Sequence, residues 1–117
     1  GSKYFDEENF RLAAKYYGDA ADLNPLEYTY YENAGISNFK FGSFDKAIPY
    51  LNHVKDSLNP STGKSEFILA KTYAALEDFE KACNYISDSS RFDYTPAYPL
   101  IGDYCAKAKN DKSIKTE

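Results

Sequence analysis

A phenylalanine followed three residues later by alanine occurs three times, as Phe10/Ala13, Phe44/Ala47 and Phe79/Ala82, at intervals of 34 and then 35 residues. Seven residues after each Phe stands a large side chain (Tyr17, Leu51, Ile86). Ten after it stand Ala20, Val54 and Ser89, the last a weakened position. Nine before each Phe come Gly1, Gly35 and Ala70, and six before come Tyr4, Asn38 and Tyr73. The first two copies close on the same dipeptide, Asn24-Pro25 and Asn59-Pro60. A fixed period of this length means that one supersecondary unit is copied along the chain, and this outranks any local propensity in deciding the fold.

The copied unit reads as two antiparallel helices. Phe44, Ala47, Ile48, Leu51 and Val54 recur at helical spacing and line one face, as do Phe79, Ala82, Cys83 and Ile86. Small residues at Ala13, Ala47, Ala82, Gly35 and Ala70 let two helix backbones approach closely. Gly42-Ser43 and Glu77-Asp78 fall in short turns, where Ser43 and Asp78 are expected to cap the helix that follows. Asn-Pro then ends each pair, because proline cannot continue a helix and disfavours one just before it. Pro49 lies inside a helix, where a slight kink is expected. Thr95 is the expected cap of a further helix, with Pro96 and Pro99 in its first turn, where a missing N–H costs little. Gly102 and Cys105 repeat the Gly/three-later pairing there.

Period, small–aromatic–small columns and terminal proline together resemble the tetratricopeptide repeat family over roughly residues 3–109. The resemblance implies an all-α fold, a right-handed α-solenoid of antiparallel helix pairs. The expected division is a partial first repeat at 3–25, a second at 26–60, a third at 61–94, and the first helix of a fourth at 95–109. Residues 1–2 read as a remnant of cloning on a fragment of a longer protein. Residues 110–117 are polar and lack an apolar period, so a frayed tail or linker is expected.

Composition and motifs exclude more than they assign. The 117 residues are 43% hydrophobic, enough for a core, and their net charge of −4 argues against a nucleic-acid surface. Twelve Tyr and eight Phe could stack on bases, yet many of them occupy the repeat columns. Tyr16, Tyr28, Tyr30 and Tyr50 are the ones the columns leave unexplained. No apolar run approaches the length of a bilayer span, so direct membrane insertion is not expected. Thr62-Gly63-Lys64-Ser65 imitates part of a phosphate loop, but Leu58 stands where its first glycine belongs and a helix, not a strand, precedes it. His53, the single histidine, has no Cys or His cluster near it in sequence and is expected on the surface. Cys83 and Cys105 fall on adjacent helices; a contact is open to them, with buried free thiols the commoner outcome. No catalytic constellation, metal site or cofactor is expected.

In proteins of the resembled family, the first helix of each pair forms a concave wall that binds extended peptides. The groove-facing positions, those not used by the packing columns, include Asn33, Ile36, Phe39 and Lys40 in the second copy. In the third they include Lys64, Phe67, Ile68 and Lys71, and in the fourth helix Leu100 and Asp103. The family's carboxylate clamp for chaperone C-termini is incomplete: Asn33 and Lys64 match, but its Arg place holds Ile68 and its first-copy Asn place holds Ser2. An apolar strip of Ile36, Phe39, Phe67, Ile68 and Leu100 replaces it. The expectation is a non-catalytic scaffold that binds a protein or peptide partner. An alternative is a regulatory or anchoring segment of a larger, bacterial enzyme or of an envelope or secretion protein; a third is a self-assembly module. Compartment stays open between cytoplasm and periplasm.

Overall fold

The computed structural model describes the backbone of residues 2–116 and the side chains of residues 8–110. Regular structure among these is entirely helical: α1 (Ser2–Leu23), α2 (Tyr28–Phe41), α3 (Phe44–His53), a π-helical turn (Val54–Leu58), α4 (Lys64–Ala75), α5 (Phe79–Arg91), a 3-10 turn (Thr95–Ala97) and α6 (Tyr98–Thr116). Two units divide directly after the second Asn-Pro, at Gly1–Pro60 and Ser61–Glu117.

In the first unit α2 packs on α1 and on α3. Ala21, Ala34, Ala47, Leu51 and Val54 are fully excluded from solvent and form its apolar core. Gly35 shows why a small residue is needed in its column. A Cβ there would lie 2.6 Å from two carbons of Leu51, so the leucine of α3 rests on bare α2 backbone. In the second unit the matching residues, Ala70 and Ile86, belong to one buried cluster with Ala82, Ala97 and Tyr104.

The two hairpin turns share a pair of closing bonds. Gly42 N–H donates to Phe39 O at 3.0 Å and Ser43 N–H to Asn38 O at 2.8 Å. Thirty-five positions on, Glu77 N–H donates to Ala74 O at 3.0 Å and Asp78 N–H to Tyr73 O at 2.8 Å. This double bond pattern closes a helix through a left-handed residue, here Gly42 at φ +96° and Glu77 at φ +63°. Glycine adopts that conformation freely, whereas glutamate pays for it.

Capping follows the sequence at one turn and departs from it at the other. Asp78 accepts from Lys81 N–H at 3.2 Å, as expected. Ser43 makes no side-chain cap bond although its backbone (ψ 70°) is close to that of Asp78 (ψ 79°). Thr95 does not cap either; Tyr94 precedes the 3-10 turn, without a side-chain cap bond. α3 runs through Pro49, and the departure from α geometry comes five residues later, in the π-helical turn. There Asn59 N–H, at φ +36°, donates back to Val54 O.

In the second unit α5 packs on both α4 and α6. Gly63 starts α4 at φ +81°, and a Cβ on it would meet Ser89 O at 2.8 Å. Ser89, the weakened repeat position, is fully buried, and its hydroxyl donates to Gly63 O at 2.7 Å. A polar residue therefore stands in an apolar column because it bonds the start of α4 to the end of α5. Cys83 and Cys105 form a disulfide across α5 and α6, their Cα atoms 4.7 Å apart. This corrects the expectation of free thiols: the packing of these helices sets the two residues opposite each other, within bridging distance. The α6 backbone is helical to Thr116, through residues 110–116 of the expected polar tail. Gly1, Glu117 and the side chains of residues 2–7 and 111–116, including Ser2 and the Tyr4 column position, lie outside the described residues.

Candidate functional site

The anticipated recognition residues fall on three helices, one in the first unit and two in the second. On α2, Asn33, Ile36 and Phe39 are half-buried and Lys40 is exposed. The Phe39 ring lies 5.8 Å from Phe44, and the Lys40 ammonium sits 5.7 Å above Phe10. Phe39 is thus partly used in bracing the α2–α3 hairpin. Glu32, which precedes Asn33 on the same helix, is buried.

On α4, Lys64, Phe67 and Lys71 occupy positions i, i+3 and i+7 and share one face. All three are half-buried. Lys64 opens the helix, its N–H donating to Thr62 Oγ1 at 3.2 Å. The Lys71 ammonium sits 5.4 Å from the Phe67 ring centre, and that ring packs 5.2 Å from Tyr94. Phe67 and Leu100 both rest against the unit's buried cluster. Ile68 is 8% exposed, so it supports this face from beneath and offers a ligand little surface. On α6, Asp103 is exposed and pairs with Lys107 at 3.4 Å, a solvent-screened contact of small energy.

The structure thus brings Lys64, Phe67 and Lys71 together on one helix face and seats Leu100 against the same core as Phe67. The phosphate-loop imitation is set aside by its surroundings. Gly63 starts α4 after a helical segment, with no strand among the described residues. His53 differs from expectation: its ring is half-buried 4.4 Å from Tyr31, and its Nε2 is buried without a hydrogen bond. Tyr31 also faces Tyr50 at 6.2 Å, which accounts for one of the unexplained tyrosines. Burial, and then the nearby Asp22 and Asp19 carboxylates, raise the Tyr50 hydroxyl above the ordinary tyrosine value.

One feature escapes the repeat columns. α1, the end of α2 and α3 enclose an open depression of about 540 Å³, with Arg11, Lys15, Asp45, Lys46, Phe41 and Tyr50 on its walls. Its cations lie off the packing positions, and only the docking of α1 and α3 on α2 gathers them. Among the described residues no three His, Cys, Asp or Glu side chains converge on a point that could hold a metal ion. None of the described helices is long and apolar enough to cross a membrane. Neither a family model nor a curated protein matches the chain.

Proposed function

We propose that this chain is a non-catalytic interaction scaffold, built from helix pairs of the right-handed tetratricopeptide type, that binds a peptide or protein partner. The repeat reading is supported by the two turns, which share a pair of closing hydrogen bonds 35 positions apart. It is supported also by the matched packing residues Gly35 with Leu51 and Ala70 with Ile86.

The observation that carries the functional reading is the α4 face. An aromatic ring with one ammonium over it and a second lysine three residues before it on the same helix suits a ligand that presents an apolar residue beside a carboxylate. An extended segment ending in a free C-terminus, or carrying an acidic side chain, has that chemistry. Asn33, Ile36, Phe39 and Lys40 offer a second mixed face on α2, suited to peptide backbone and apolar side chains. The disulfide adds a constraint on where the partner is met, because such bonds persist in oxidising compartments.

Selection from a random peptide library, followed by fluorescence anisotropy, tests this reading. Peptides with a free C-terminal carboxylate or acidic residues should bind better than amidated or neutral ones. The double variant Lys64→Glu/Lys71→Glu should weaken them about tenfold or more, given the strength of charge-assisted pairing. Equal binding of neutral peptides, or an indifferent double variant, would remove the α4 face from recognition.

A further inference from the structure

α1 presents a stripe of exposed apolar side chains. Leu12 is 49% exposed, Tyr16 65% and Leu23 82%, and Leu26 just beyond the helix is 87% exposed. At 100° per residue the first three fall within about 40° of one another on the helix. Large apolar side chains aligned and open in this way mark an interaction surface more than scattered exposure does.

The charges beside the stripe identify what it fits. Glu8, Arg11, Lys15 and Asp22 all lie on one flank, and Asp19 lies at its border with the stripe. Along the axis the cations Arg11 and Lys15 come first and the aspartates Asp19 and Asp22 follow toward the C-terminal end, with Glu8 preceding them as the ion-pair partner of Arg11. Their present partners within α1, Glu8 for Arg11 and Asp19 for Lys15 at 3.8 Å, are exposed and weakly held.

Two helices packed antiparallel bring a given flank of one against the same flank of the other. Two parallel helices bring opposite flanks together. With α1 laid antiparallel on a second α1 so that Leu12 faces Leu23, position 22 of one helix falls level with position 13 of the other. Asp22 then lies between the partner's Arg11 and Lys15, and Asp19 lies beside its Tyr16 and Lys15. The two-fold symmetry repeats every one of these pairs. A parallel arrangement would set the same charges against Ala13 and Ala20. The surface is self-complementary in one orientation only.

We propose that two copies of this chain associate through α1 as an antiparallel, two-fold pair, with Leu12, Tyr16 and Leu23 at its centre and Arg11 and Lys15 against the partner's Asp19 and Asp22. Contacts of one helix from each side make a small interface, so the dimer fraction should rise over about 1 μM to 1 mM protein.

Sedimentation velocity across that range, with charge-reversal variants, tests both the contact and its orientation. Arg11→Glu/Lys15→Glu leaves only acids among these flank residues, and Asp19→Lys/Asp22→Lys leaves Glu8 as their one acid against four bases. Each alone should dissociate about tenfold or more readily than the unaltered chain. Mixed in equal amounts, the two should form a heterodimer. Leu23→Lys, at the most open of the three stripe positions, should be monomeric throughout, with helicity by circular dichroism unchanged. A chain monomeric to 1 mM, homodimers indifferent to charge reversal, or a mixture that does not pair would each overturn the proposal. The first result would mean that the stripe belongs to a different partner.

Discussion

Opening the Cys83–Cys105 bond should cost the second unit a large part of its stability, and the size of the effect follows from the loop it closes. The two cysteines are separated by 22 residues. For a loop of that length the chain-entropy relation gives about 11 cal/mol/K, or about 3.4 kcal/mol at 25 °C, by which the cross-link raises the free energy of the unfolded chain. Domains of this size are stable by only about 5–15 kcal/mol, so the loss should be plain. α6 has little else to replace it. Of its described side chains only Tyr104 and Ala108 are buried, with Leu100 and Ile101 packed part-way into the core. The bond is also reachable, because it borders an open depression of about 250 Å³ together with Glu80, Asn84 and Lys109. Urea unfolding followed by far-ultraviolet circular dichroism is the assay, since the chain has no tryptophan. With a denaturant slope of about 1–3 kcal/mol per molar, the transition reporting the second unit should fall by about 1–3 M when a phosphine reduces the protein. The double variant Cys83→Ala/Cys105→Ala should unfold near the reduced midpoint and ignore the phosphine. A reduced protein within about 1 kcal/mol of the oxidised one would refute the reasoning. So would a double variant that responds to reductant as the unaltered chain does.

Four substitutions examine the helix pairs by equilibrium denaturation. Gly63→Ala places a Cβ 2.8 Å from a backbone oxygen at φ +81°, and should destabilise by about 2–3 kcal/mol with little relief from relaxation. Glu77→Gly gives the second turn the residue the first already has at the same left-handed position. It should stabilise by about 0.5–1 kcal/mol, and a loss would mean that the Glu77 side chain holds something more than the turn. Gly35→Ala crowds Leu51 and should cost about 1–2 kcal/mol after allowing for the better helix propensity of alanine. Adding Leu51→Ile copies the Ala70/Ile86 pair of the second unit and should recover most of that loss. A strictly additive double variant would show that the two hairpins pack differently.

What the sequence makes legible here is what repeats. Helix boundaries, the turns at Gly42-Ser43 and Glu77-Asp78, and the small residues under Leu51 and Ile86 follow from columns 34 and 35 residues apart. Each column reports the same local physics more than once. What is not legible depends on a single contact between elements distant in sequence. Ser89 looks like decay of an apolar column until α4 is set beside α5 and its hydroxyl finds Gly63 O. The cysteines carry no pairing information by themselves; α5 and α6 must first lie side by side. His53 reads as a surface residue because its neighbour Tyr31 is contributed by a different helix.

The recognition residues expose a related limit. Helix period separates residues that pack from residues that do not, and it assigns every remaining position to an outer face. It does not separate a residue left open from one covered by an element that the period does not describe. Phe67 shows the difference, since Tyr94, in the connection after α5, lies against its ring. Ile68, one position on, is buried although no column claims it. The stripe on α1 shows the converse. Tyr16 and Leu23 look like ordinary helix residues beside the column positions Tyr17 and Ala20. Their exposure becomes informative only when Leu12, Tyr16 and Leu23 are placed on one line, with cations and aspartates segregated along its flank. Exposure, then, is a property of the packed assembly of helices, and a sequence read one helix at a time carries its pattern without its sign.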